Sequence, residues 1–215
     1  MPAREELLTA TEAAVVSCVS VRDVNRAIDE KILPHGFLGA GSERTVLAAG
    51  CPLIAFYFES AEHLTSKERL WAIKCAGPRL RKSRAHAAVL DEDWTFRDDF
   101  LTIDLAPFLR RTWERLDRLG EARAAVVSSP EVLGGTPVIR GTRVPVYDVA
   151  ASVAAGIPQK RILAAYPSLD ADKVALAAIY AEATPPRGRP RRTLEAPKGA
   201  AVIADRRIAA RPKAK

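Results

Sequence analysis

Three groups of side chains have the types and spacing for contact with nucleic acid. Arg22, Asn25, Arg26 and Lys31 lie close together near the N-terminus. An arginine fork suits guanine or phosphate, asparagine suits adenine, and lysine neutralises phosphate. Arg140 and Arg143 flank Gly141-Thr142 in mid-chain, and Arg187, Arg189, Arg191, Arg192, Arg206 and Arg207 follow toward the C-terminus. Catalytic chemistry has no such grouping. The histidines (His35, His63, His86) and cysteines (Cys18, Cys51, Cys75) are scattered, without a CxxC pair or metal-ligand spacing. No acid–base or nucleophile constellation appears, so a non-enzyme with no cofactor and no metal is expected, its cysteines buried free thiols.

The first group needs a helix to hold it. Thr9 or Thr11 can cap a short helix through Ala13-Ala14-Val15-Val16, and Ser20, with Asp23 three residues on, can cap a second. On that second helix Val21, Val24, Ala27 or Ile28, and Ile32 or Leu33 share an inner face, while Arg22, Asn25, Arg26 and Asp29 point outward. Two short helices on a tight turn match helix-turn-helix geometry for major-groove reading. The alternative is a solvated face, with the arginines paired to Asp29 or Glu30 at helical spacing. Gly36, Gly39, Gly41 and Ser42 read as a turn or small wing, with Thr45-Val46-Leu47 as its return strand.

Pro52 to Ser60, with Phe56-Tyr57-Phe58, reads as a buried helix. Thr65 or Ser66 caps a further helix over Lys67–Lys74, which Gly77-Pro78 should terminate, leaving Arg79–Arg84 as an exposed basic loop in preference to a phosphate-contacting strip. Trp94–Leu105 has strand character around two turn-forming acids. Asp104 then caps a helix over Leu105–Leu119, striped by Leu109, Trp113 and Leu116 and ended by Gly120, before a short strand at Ala124–Val127.

The Arg140 group belongs to a tight hairpin over Gly134–Val146 that feeds a helix. Gly141 supplies the turn, the Thr142 hydroxyl closes it, and Arg143 is spaced for an ion pair with Asp148. Three helices should follow: Val146 to about Ala155, ended by Gly156; one starting at Pro158 and broken at Tyr166-Pro167; and one capped by Asp170 with Val174, Ala177, Ala178 and Ala181 on one face. Arg140, at the turn tip, is this module's best candidate for touching DNA.

Two resemblances rest on these residues. The run from Ser129-Pro130-Glu131 through Gly134-Gly135-Thr136-Pro137-Val138-Ile139-Arg140-Gly141-Thr142-Arg143-Val144-Pro145-Val146, then Tyr166-Pro167-Ser168-Leu169 and Ala178-Ile179-Tyr180-Ala181, closely resembles the bacterial family catalogued as domain of unknown function 433. Its members are assigned as VapB-type antitoxins. The match covers about residues 124 to 184 and implies a small helix-turn-helix-like fold with a PIN-type ribonuclease toxin as partner. Separately, Thr11-Glu12-Ala13-Ala14, Val19-Ser20-Val21-Arg22-Asp23-Val24-Asn25 and Lys31-Ile32-Leu33-Pro34 resemble the opening of MerR-type DNA-binding domains.

Charge is unevenly distributed. Of 33 Lys and Arg and 26 Asp and Glu, residues 185–215 hold ten basic and two acidic groups, a net of +8, so the rest is near neutral at −1. Pro185-Pro186 ends the last helix, and Arg187-Gly188-Arg189-Pro190 resembles an AT-hook, whose arginines lie along a narrow minor groove. The antitoxin resemblance implies a second use, a guanidinium (Arg187, Arg189, Arg206 or Arg207) aimed at the toxin's metal-holding carboxylates.

The expected fold is therefore mainly α with small β-hairpins (α+β). Two helix-turn-helix-like modules, 1–78 and 124–184, would be joined by a strand–helix–strand section, 79–123, and followed by a flexible basic tail, 185–215. The expected function is a cytoplasmic antitoxin that binds a PIN-type toxin and represses its own operon as a homodimer on operator DNA, without a membrane segment. The alternatives are a stand-alone MerR-like regulator with a small-molecule ligand near Phe56, and an interaction scaffold that touches no nucleic acid.

Overall fold

Residues 6–39, 44–82 and 92–186 are described by the computed structural model. The chain opens with strand β1 (Leu7–Thr9), then helices α1 (Ala10–Ser17) and α2 (Val21–Asp29). A 3₁₀ turn, His35–Phe37, leads to β2 (Thr45–Leu47), α3 (Cys51–Glu59) and α4 (Ser66–Lys82). The hairpin β3 (Thr95–Asp98) and β4 (Leu101–Asp104) precedes the long α5 (Ala106–Ala124). β5 (Val126–Val127), β6 (Val138–Ile139), α6 (Val146–Ala154), α7 (Gln159–Ala165) and α8 (Ala171–Ala183) complete the described part. The sheets are small antiparallel pairs, β1–β2, β3–β4 and β5–β6, so the class is α+β and mainly α. Among the described residues no helix is long and apolar enough to cross a membrane.

α5 is the central post. Its Leu109, Trp113, Leu116 and Leu119 are buried, and it packs against α1, α3 and α8. α3 contributes Leu53, Ile54 and Phe56 to the same core, with the Phe56 ring edge-on to Phe108 at 5.4 Å. A second, smaller core holds Ile139, Val146, Val149, Ile162, Leu169, Val174 and Ala177. α8 belongs to both: Val174 and Ala177 face the small core, while Ile179 and Ala183 join the large one.

Two helices run past their expected stops. α4 continues through Gly77-Pro78 to Lys82, so Arg79–Lys82 form its last turn rather than a loop; Ser83 and Arg84 lie outside the described residues. Gly77 serves close approach instead of termination, because a Cβ there would sit 3.1 Å from Pro34 Cγ and 3.5 Å from Phe37 Cε2. α5 likewise passes Gly120 to Ala124, with Leu119 and Ala122 buried on either side of the glycine.

The cysteines divide. Cys51 is fully buried and its thiol is pushed up to about 12 by desolvation, opposed only by a contact with Ser17. Cys75 is half-buried and Cys18 is exposed, contrary to the expectation of buried thiols throughout. Cys18 ends α1 in the left-handed region at φ 56°, with Val19 N–H donating to Ala14 O at 3.1 Å across it. A β-carbon is disfavoured there. Cys18→Gly should therefore stabilise the fold by up to about 1 kcal/mol, the relief of left-handed strain exceeding the added freedom of the unfolded chain. Chemical denaturation of the two proteins checks the sign.

Candidate nucleic-acid interface

The α1–α2 unit is built from local signals. Thr9 and Glu12 form a reciprocal capping box, the Glu12 carboxylate accepting from Thr9 N–H at 2.9 Å. Ser20 and Asp23 form the second, with Asp23 N–H donating to Ser20 Oγ at 3.1 Å and Ser20 Oγ donating to Asp23 Oδ2 at 2.6 Å. Val24 and Ala27 of the inner face of α2 are fully buried, whereas Val21, expected beside them, is 40% exposed in the first turn. Lys31 ends it at φ 53°, with Ile32 N–H reaching back to Ala27 O at 3.0 Å. That closure turns the chain so that Ile32 and Leu33 enter the core while Lys31 stays exposed.

The outward face carries the expected groups in different states. Arg22 is exposed and, among the described residues, has no ion pair. Arg26 Nε bonds Glu30 at 2.8 Å, the helical pairing weighed as the alternative, and its guanidinium lies 5.9 Å from the Phe58 ring centroid. Asn25 and Asp29 are gripped by a residue that the sequence reading passed over. Arg44 Nη1 donates to Asn25 Oδ1 at 3.1 Å, and its Nη2 meets Asp29 Oδ1 at 2.9 Å.

Arg44 stands where the chain returns as β2, which pairs with β1. Leu38 bridges Val46 and Gly39 N–H donates to Thr45 O at 3.0 Å, so the expected return strand is present, with β1 on its other edge. The signal for Arg44 was its place at the mouth of the glycine-rich turn; residues 40–43 lie outside the described ones.

The base of α1 is held electrostatically. Arg123 on α5 bonds Glu12 at 2.7 Å and also pairs with Glu6. Burial pushes the Glu12 carboxyl up, but hydrogen bonds from Arg123 and from the Thr9 backbone and hydroxyl outweigh it and hold Glu12 below its ordinary value. A lowered folded-state pKa means that Glu12 stabilises the fold above its unfolded pKa and loses that contribution as pH falls through the folded one. Glu12→Gln keeps the cap and removes the charge. It should cost about 1–2 kcal/mol at pH 7, and the gap from wild type should close in acid below about pH 4. Denaturant melts at several pH values give the comparison.

The mid-chain hairpin closes as expected. Ile139 N–H donates to Val144 O at 3.0 Å, Gly141 has φ 76°, and Thr142 Oγ1 donates to Ile139 O at 2.8 Å. Its two arginines are held differently. Arg140 turns to the end of α5, its N–H reaching Ala125 O and its Nε reaching Ala124 O, both at 2.7 Å. A cation there satisfies carbonyls at a helix C-terminus. Arg143 is exposed and makes no ion pair with Asp148. Among the described residues no hydrogen bond or ion pair joins Arg140 or Arg143 to α2, so the structure does not unite the two groups. Arg187, Arg189, Arg191, Arg192, Arg206 and Arg207 lie outside the described residues. Among those described, no cluster of three or more His, Cys, Asp or Glu could hold a metal ion.

Residues 126–181, from β5 through most of α8, match the family model described as a protein of unknown function (DUF433). The crystal structure of Rv2018 from Mycobacterium tuberculosis is 19% identical and is covered to 96% by 80% of this chain, at a TM-score of 0.32 too low to bear on fold or function. The uncharacterized protein y4eO of Sinorhizobium fredii (strain NBRC 101917 / NGR234) is 60% identical over 215 residues, 99% of this chain and 97% of that one. At that identity and coverage, the chain belongs to the family of y4eO, and its residues 126–181 are similar to the DUF433 model.

Proposed function

We propose that this chain is a DNA-binding antitoxin, which represses its own operon through α1–α2 and neutralises a PIN-type ribonuclease through its C-terminal region. The observation that carries the DNA half is the division of α2: Val24 and Ala27 are locked into the core while Arg22, Arg26 and Lys31 stand exposed beside Arg44. A rigid helix whose exposed face presents Arg22, unpaired among the described residues, beside the paired Arg26, next to a β-return, suits a major groove. The toxin half rests on the antitoxin role that the sequence resemblance over about residues 124–184 implies, and on the +8 charge of residues 185–215, which suits an acidic metal site. A homodimer would place two α2 helices on a palindromic operator.

The reading as a regulator with a ligand near Phe56 lacks such support. Phe56 and Tyr57 are 1% and 4% exposed, consumed by packing.

The test is co-purification of the tagged chain with the product of its neighbouring gene, with and without residues 185–215, alongside gel shift of its own promoter. A ribonuclease retained by the full chain and lost from the truncation supports the antitoxin. A promoter shift with nothing co-purifying leaves a repressor alone, and absence of both removes the proposal.

A further inference from the structure

Phe100 is the one large apolar side chain with a wholly exposed surface among the described residues, at 101% of its reference area. It stands in the two-residue turn between the paired Asp98 and Leu101, beside Asp99, whose φ of 47° tightens the turn. The mount beneath it is rigid. Trp94 at the foot of β3 is buried, Arg79 stacks on its ring at 4.4 Å and donates to Asp93 O at 2.7 Å, and Leu105 N–H donates to Trp94 O at 3.1 Å. Phe96 and Leu101 pack onto the large core. An aromatic ring held out on a fixed hairpin, flanked by two carboxylates, is preorganised as an anchor for a partner.

The same chain carries the matching receptacle. A pocket of about 430 Å³ opens between the last turns of α4 and the segment after α2, floored by Pro34, Phe37, Gly77 and Pro78. Arg81 and Lys82, both exposed, form its basic rim. Arg81 lies against the Gly36 backbone, where a Cβ would fall 2.0 Å from its Nη1. Apolar floor and basic rim complement an apolar ring with acidic neighbours.

We propose that two copies of this chain pair by exchanging these features, Phe100 of each entering the Pro34–Pro78 pocket of the other while Asp98 and Asp99 meet Arg81 and Lys82. Because every copy has both halves, a two-fold arrangement makes both contacts at once. The inference rests on neither the DNA nor the toxin reading. Aromatic anchors dominate such interfaces, and charged rims mainly set partner choice.

The experiment is sedimentation equilibrium on the full chain and its variants. The wild type should be a dimer at about 100 μM, as befits a small interface. Phe100→Ala removes no buried surface, so its circular dichroism and melting should be unchanged while its dimerisation weakens roughly 30-fold or more. Asp98→Lys with Asp99→Asn should give monomers, and so should Arg81→Glu with Lys82→Glu. Mixed in equal amounts, those two variants should restore a dimer, because each finger then faces an opposite rim. Asparagine tolerates the left-handed φ at position 99. A monomeric wild type, a dimer indifferent to Phe100→Ala, or charge variants that fail to pair when mixed would each overturn the proposal.

Discussion

Trp113→Ala should be the most damaging single core change, costing about 3–5 kcal/mol. The side chain is 1% exposed on α5, between the equally buried Leu109 and Leu116, in the core that α1 and α3 share. Truncation removes a large apolar area and leaves a cavity that helices fixed by many other contacts cannot collapse to fill. Against a total stability of about 5–15 kcal/mol, the loss is about a fifth or more, and the melting temperature should fall by roughly 10 °C. Leu70→Ala is the control. Leu70 is 42% exposed on α4, and its loss should change stability by no more than about 0.5 kcal/mol. Equal effects in parallel thermal melts would contradict the placement of α5 at the centre.

The second large effect concerns DNA. Arg22→Ala should weaken binding to promoter DNA about tenfold or more and reduce the dependence of affinity on salt by about one unit of slope. Arg26→Ala should do less, because Glu30 already holds that guanidinium at 2.8 Å and the pair must open for a phosphate to enter. Arg44→Ala should do more than the loss of one cation. Arg44 masks the Asp29 carboxylate at 2.9 Å, and its removal would expose a negative charge toward the backbone of the duplex. Titrations at several salt concentrations separate the three. An Arg22→Ala protein with unchanged affinity and slope would remove α2 from the interface.

Local chemistry made much of this fold readable from its residues. Thr9, Ser20 and Asp170 announce helix starts because a hydroxyl or carboxylate three residues from an amide satisfies it without help from the rest of the chain. Gly141 and Thr142 announce their turn just as locally, the glycine by accepting φ 76° and the threonine hydroxyl by donating to Ile139 O. Gly77-Pro78 and Gly120 mislead because their meaning is tertiary. Gly77 is small where Pro34 and Phe37 press on α4, and burial of Leu119 and Ala122 carries α5 past Gly120 despite the propensity cost. The α2 face was legible as a helical stripe. Its latch was not, since Arg44 reaches Asn25 and Asp29 across 19 and 15 residues, a separation that no periodicity records. The partners of Arg140 were hidden similarly: Ala124 and Ala125 lie at the end of α5, and only the folded chain brings that end beside the hairpin.

The dual membership of α8 sets a timetable for the newborn chain. Ala183 lies in the same core as Ala14 and Val16 of α1, and Arg118 of α5 pairs with Asp172 at 2.6 Å. At about 5–20 residues per second of synthesis, α1 leaves the ribosome roughly ten to thirty seconds before the helix that completes its packing. During that interval the apolar flank of α1 that α8 will cover stays open to water, to chaperones and to proteases. Contacts so distant in sequence also slow closure once the chain is released. A chain cleaved between α5 and α8 would return to that unfinished condition, so a single cut near β6 would weaken the α1–α2 end as well as the segment it severs.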